Sequence, residues 1–292
     1  MASSARILAD GISFGEGPRW REGRLWFSDF FDHAVKSVSP EGEVRIEFEI
    51  DDQPSGLGWT PDGDLLVVSM TRRMVLRRSP DGRIHTHADL SGLATWHCND
   101  MVVDATGRAY VGNFGFDLDA ATAERGFGGV MAEHATAKLA LVEPDGRVRV
   151  VADDMHFPNG AMITPDGGTL IIGETFAARL TAFDIAADGG LSNRRVWAEL
   201  APRIPDGACL DAEGCVWIAN PAAPECVRIA EGGAVRAVVQ TSLPCYACML
   251  GGADGRTLFM CTSRPARPDE ADGKPRGRIE VATVEVAHAG RP

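Results

Sequence analysis

Three oxygen-bearing side chains in this 292-residue chain are set in unusual frames of glycine and proline. Glu16 lies in GEGPRW, Asn159 in FPNGAMITPDG and Asp206 in IPDGACLDAEG. A fourth phrase, WHCNDMVVDATG, carries His97, Asn99 and Asp100. Each polar group stands a few residues ahead of an apolar run or a turn, and Pro158-Asn159-Gly160 matches Pro205-Asp206-Gly207 in wording. Two carboxylates and an amide oxygen form a hard-oxygen set suited to a divalent cation. Taken singly, Asn-Gly and Asp-Gly are also favoured turn pairs, so each residue has a plain structural reading as well. What favours chemistry is the shared placement of the three.

The elements that must position them are announced by a repeated turn. SPEG at Ser39, TPDG at Thr60, SPDG at Ser79 and DATG at Asp104 are followed by EPDG at Glu143, TPDG at Thr164, DAEG at Asp211 and GADG at Gly252. Proline presets the first corner, the acid caps it and glycine takes the positive-φ position. Short alternating runs such as DLLVVS, RAYVGN, TLIIGE, CVWIAN and TLFMCT follow these turns, as hairpin strands do. The turn recurs roughly every 20 to 24 residues over much of the chain, so a two-hairpin unit spans ~45 residues, the length of a propeller blade. The chain accommodates about six such units, which predicts an all-β, six-bladed β-propeller of four-stranded blades around a central channel, one domain over residues 1–292. Closure is expected between ARILAD near the start and RIEVATVEV near the end. Helical periodicity is absent apart from a short turn around Leu118–Arg125. That turn falls in the one long interval, where a pocket-side loop is expected at about residues 114–136.

GEGPRW, NDMVVDATGRAYVGN, PNGAMITPDG, PDGACLDAEGCVWIAN and CMLGG resemble, in the same order and over nearly the whole chain, the SMP-30/gluconolactonase/LRE family that includes regucalcin and bacterial sugar lactonases. The resemblance implies a six-bladed propeller with one divalent metal ion in its channel and the opening of lactones to hydroxy acids. It places Glu16, Asn159 and Asp206 on the metal ligands, Asn99 beside the metal, and Asp100 on a neighbouring substrate-side acid. Asp206 takes the additional role of general base, while His97, Asn99, Asp100 and Asn113 are expected to contact or orient the substrate. In that mechanism the metal polarises the lactone carbonyl and lowers the pKa of a water. An oxygen-only set leaves the ion open among Ca, Zn, Mn, Mg and Fe.

Two features depart from the sugar-lactonase members. Several of those carry arginine where this chain has His97. The long loop also contains Phe114, Phe116, Phe127 and Met131, which either line the channel mouth or anchor the loop. If they line it, the expected substrate is a lactone or ester less hydrophilic than a sugar lactone. Phosphotriester hydrolysis of the paraoxonase type is the alternative enzymatic reading, and a non-catalytic calcium-binding propeller the alternative without turnover. A metal-free propeller resembling strictosidine synthase would leave Glu16 and Asp206 unexplained. G-x-S-x-G and H-E-x-x-H are both absent.

Composition narrows the partners. A net charge of -12 and the lack of any basic run argue against nucleic acid, leaving a small molecule as the expected ligand. No signal-like segment opens the sequence and no apolar run is long enough to span a membrane, so a cytoplasmic protein is expected. The seven cysteines are spaced too loosely for a disulfide framework or a zinc site. Cys245-x-x-Cys248 lacks the βαβ setting of a redox pair, so ordinary buried thiols are expected. Oligomeric state is not legible.

Overall fold

The computed structural model describes residues 3–265 and 275–290. Six antiparallel blades of four strands stand around one channel, in the order in which the chain makes them, and Ser3–Ser4 adds a short parallel fifth strand to one of them, beside Val235–Gln240. Their innermost strands are Gly15–Arg21, Pro54–Trp59, Cys98–Val103, Pro158–Ile163, Ala208–Leu210 and Cys245–Gly251, here blades I to VI. Each inner strand touches the next, and that of blade VI returns to blade I. The six-bladed propeller expected from the repeat is therefore the observed fold.

The repeated turn behaves as its residues require. Gly42 and Gly63 hold φ of 94° and 89° and donate their N–H groups to Ser39 O and Thr60 O at 2.9 Å, closing the tight turn. The same bond recurs at Ala186–Gly189 and Ala230–Gly233, two turns without proline that restore the period in blades IV and V. Inner and second strands are buried almost throughout, whereas the outermost strand of blade I, Val44–Glu49, is largely exposed. The core therefore lies between the blades, in sheet-on-sheet clusters such as Leu66, Val68, Met101, Val111 and Val142.

The ends close as expected. Arg6–Ile12 is the outer strand of blade VI and pairs antiparallel with Gly277–Thr283, Arg6 opposite Val281. All seven cysteines are buried and free. No described helix is long and apolar enough to cross a membrane.

The long interval contains more helix than the sequence announces. An α-helix, α1, runs from Leu118 to Ala132 and is broken at Gly126, whose φ of 69° and ψ of 162° are not helical. Asp117 caps its start, accepting a hydrogen bond from Ala120 N at 2.9 Å. The helix is fastened to the propeller by Val130, Phe157 and Phe176, with Phe116, Leu118 and Met131 packed around them.

Candidate functional site

The second residue of five inner strands, and the residue two before the sixth, share one level of the channel. These are Glu16, Ser55, Asn99, Asn159, Asp206 and Tyr246. We call this level the collar. Its position has a backbone cause. The ladder between inner and second strand slips at Glu16/Arg19, Pro54/Leu57, Cys98/Met101, Pro158/Ala161 and Cys245/Ala247. Such irregularities leave residues unpaired and re-aim side chains. The freed backbone groups then bond between blades: Gly160 N donates to Asp206 O at 3.2 Å and Gly207 N to Tyr246 O at 2.8 Å. Close approach of this kind needs small residues. A Cβ on Gly160 would lie 2.4 Å from Ala208 N, and one on Gly56 2.4 Å from Met101 N.

The collar is polar, nearly buried and acidic. Glu16 and Asp206 are each 9 % exposed and Asn159 is 5 % exposed. Burial, then the charges of Asp206 and Asp100, raises the pKa of Glu16 well above the usual carboxylate range. Burial and the charge of Asp100 push Asp206 up to about 8, against a hydrogen bond from Asn159. Asn159 also donates through Nδ2 to Thr175 Oγ at 3.3 Å, and Thr175 Oγ donates to Pro205 O at 2.7 Å. Ser55 Oγ donates to Asn99 Oδ1 at 3.3 Å. Burial and the same two carboxylates raise the pKa of the Tyr246 phenol, which keeps its proton at neutral pH.

Asp100, the residue after Asn99, is held by backbone and by Arg19. Its Oδ1 accepts from Met101 N at 2.8 Å and from Arg19 Nη2 at 3.3 Å. Arg19 is 4 % exposed, also donates to Pro18 O and Met101 O, and forms a floor beneath the collar. Beyond that floor, at the other end of the inner strands, lies a cavity of about 380 Å³ bordered by Trp20, Trp59 and His288. Its one bordering carboxylate among the described residues is Asp104, which is tied to Arg108 at 2.7 Å. The buried carboxylates Glu16, Asp206 and Asp100 lie together at and next to the collar, which makes it the candidate site.

Three carboxylates with a single cation, Arg19, bonded to one of them form an electrostatically costly arrangement. A divalent cation among Glu16, Asp206 and the amide oxygen of Asn159 would relieve it, and the hard-oxygen donors suit that role. Among the described residues no three His, Cys, Asp or Glu side chains alone make a ligand group.

The structure thus brings Glu16, Asn99, Asn159 and Asp206 to one level, with Asp100 just below. His97, two residues ahead of Asn99, stands above it, stacked on Trp96 at 5.0 Å and next to Phe114 at 5.8 Å. Burial lowers its pKa against the charges of Asp119, Asp52 and Asp117. Asn113 is spent on the loop: its Nδ2 donates to Lys138 O at 2.7 Å, and its Oδ1 accepts from Gly115 N at 3.0 Å. Ser55 and Tyr246 in the collar, and Arg19 beneath it, are the residues that the sequence reading passed over. Ser55 had a visible signal, since Pro54-Ser55-Gly56 repeats the Pro-x-Gly of the other two phrases. Tyr246 had none.

Known proteins match this chain along most of its length. The 6-deoxy-6-sulfogluconolactonase of Pseudomonas putida is 25% identical over 95% of this chain and 94% of its own. A pentonolactonase of Haloferax volcanii is 26% identical over 98% and 96%. The crystal structure of a calcium-binding protein, regucalcin, from Agrobacterium tumefaciens superimposes with a TM-score of 0.80 at 21% identity, covering 100% of this chain and 97% of that one. The family model for the SMP-30/Gluconolactonase/LRE-like region matches residues 14–264, and the chain belongs to that family.

Proposed function

We propose that this protein is a metal-dependent lactonase that hydrolyses a cyclic ester to its hydroxy acid. The observation that carries the reading is the convergence of Glu16, Asp206 and Asn159 at one buried level of the channel. The relatives named for lactone hydrolysis over nearly their full lengths support it.

Glu16, Asn159 and Asp206 would hold one divalent ion, which supplies Lewis-acid polarisation of the ester carbonyl when bound. The calcium-binding neighbour makes calcium one candidate. The chain's own residues do the rest. Asp206 accepts the proton of the attacking water as its oxygen bonds to the acyl carbon. The acyl carbon–ring oxygen bond breaks and the proton passes to the departing alkoxide, giving an alcohol and a carboxylic acid that ionises in neutral solution. Tyr246, held protonated, donates a hydrogen bond towards the developing oxyanion or the leaving oxygen. Asn99, fixed by Ser55, orients the ester, and Asp100 with Arg19 keeps water from passing through the floor.

The test is acid release from a lactone panel by metal-stripped protein, with divalent ions restored one at a time. Turnover should return with at least one ion, and Asp206→Asn should lose about 100-fold or more while calorimetry still detects metal binding. Tight metal binding with no lactone turned over under any ion would overturn the proposal.

A further inference from the structure

Above the collar the channel changes character. The residues two positions ahead of the six collar residues are Phe14, Gln53, His97, Phe157, Ile204 and Pro244. No lysine or arginine stands within two residues of any collar position. Two aromatic walls rise there. On one side Phe14 meets Tyr246 at 4.7 Å and Phe31 at 5.8 Å. On the other, His97 lies 5.8 Å from Phe114, which lies 4.7 Å from Phe157. Phe31, His97, Phe114 and Tyr246 are only half-buried, so they are surfaces still able to take a partner.

The two readings of the loop phenylalanines are therefore divided between residues. Phe116 and Phe176 belong to the packing that fastens α1. Phe114 joins that packing to the core beside blade III and also reaches His97.

A sugar lactone carries a hydroxyl on most ring carbons, and each needs a partner when it leaves water. Of the six residues two positions ahead of the collar, only Gln53 and His97 have side chains that could give one. An aromatic substituent instead finds ring edges and faces at stacking distance. Building on the lactonase reading, we propose that the preferred substrate is a lactone carrying an aromatic substituent, with Phe31 and Tyr246 on one side and His97 and Phe114 on the other setting that specificity, backed by the buried Phe14 and Phe157.

The experiment compares kcat/KM for three δ-lactones: glucono-δ-lactone, unsubstituted δ-valerolactone, and a δ-valerolactone with a phenyl group on a ring carbon remote from the ester. The remote phenyl leaves the intrinsic reactivity of the ester nearly unchanged, so the ratios report the mouth. The phenyl lactone should exceed each of the others by about tenfold or more. Phe114→Ala should cut its advantage over δ-valerolactone at least several-fold, and Phe31→Ala provides a second variant away from α1. Calorimetry with the matching lactams, which resist hydrolysis, reads the same preference without turnover. A gluconolactone rate equal to or above the phenyl-lactone rate overturns this substrate class and leaves the lactonase reading standing. Lactam binding that favours phenyl without turnover of any lactone keeps the aromatic mouth and removes the lactonase reading. Equal lactam affinities overturn the mouth itself.

Discussion

Gly56 and Asp100 occupy the same step of neighbouring inner strands, one residue past the collar, and they meet its crowding in opposite ways. Gly56 satisfies it by having no side chain, since a Cβ would lie 2.7 Å from Met101 Cβ as well as 2.4 Å from Met101 N. Because that neighbour is backbone, it cannot rotate away. Gly56→Ala should therefore destabilise the protein by about 3 kcal/mol. Gly92→Ala, at a glycine with nothing within 4 Å and no positive φ, should be near neutral. Urea unfolding of the two variants decides it, and equal midpoints would refute the packing argument. Asp100 meets the crowding with a charge that, among the described residues, Arg19 alone neutralises by direct contact. Both side chains are nearly buried, at 5% and 8% exposure. Arg19→Met should cost about 3–5 kcal/mol, the penalty of an uncompensated buried charge. Adding Asp100→Asn should recover a large part of that loss. A double mutant no better than the single would mean that Arg19 stabilises through packing alone.

At the scale of elements, the end of the second strand of blade IV, Thr169–Glu174, supports the aromatic wall from below. The fully buried Glu174 carboxylate accepts hydrogen bonds from Arg179 Nε at 3.0 Å, Arg194 Nη2 at 3.2 Å, His156 N at 2.9 Å and the Thr181 hydroxyl. Burial alone would raise its pKa, but the bonds from Thr181, His156 and Arg179 outweigh it and hold it below the usual 4.5. A carboxylate with a depressed folded pKa contributes stability that is complete above its unfolded value and is lost as pH falls through the folded one. The melting temperature of the wild type should therefore decline below about pH 4.5 more steeply than that of Glu174→Gln. The two curves should converge in acid after standing apart at pH 7. Parallel curves in calorimetry would sink the assignment. Blades of this kind were readable because glycine, proline and alternation act within a few residues. The two turns missed, at Ala186 and Ala230, open on alanine, whereas the eight recognised open on Ser, Thr, Asp, Glu or Gly and five of those carry proline. Helix α1 was foreseen only over its first half, since Gly126, Gly128 and Gly129 weaken helical propensity beyond it. Its second half is held by Val130 against Phe157 and Phe176, contacts between residues remote in sequence. The same distinction holds in the collar. Glu16, Asn159 and Asp206 stood out through local wording, whereas Tyr246 becomes a collar residue only when blade VI closes against blade I.

Closure is a property of the whole molecule, because the collar is one level shared by six blades and no blade contains it. The joint is the strand Arg6–Ile12, which comes near the start of the chain and completes the last sheet. Ile12 is 1% exposed and, with Ala9, enters the core shared by Phe259, Ile279 and Val281. Deleting residues 1–12 would remove that packing and leave Gly277–Thr283 as an unpaired edge. The expected loss is at least the roughly 2–5 kcal/mol of burying Ile12 alone, and the bare edge should promote self-association. The consequence for chemistry follows from geometry. Blade VI carries Tyr246, and the inner strand of blade I, which carries Glu16, packs directly against it. A loosened joint should therefore weaken metal binding and any lactone turnover before global unfolding begins, although no deleted residue belongs to the collar. Ile12→Ala separates the contributions: it removes packing but keeps the strand, so stability should fall while the protein stays monodisperse to the same degree as wild type. Sedimentation and metal calorimetry at a denaturant concentration below the unfolding transition read both effects. If the truncated chain keeps wild-type metal affinity there, the strand Arg6–Ile12 is only an edge cover, and the collar is held by the inner strands without it.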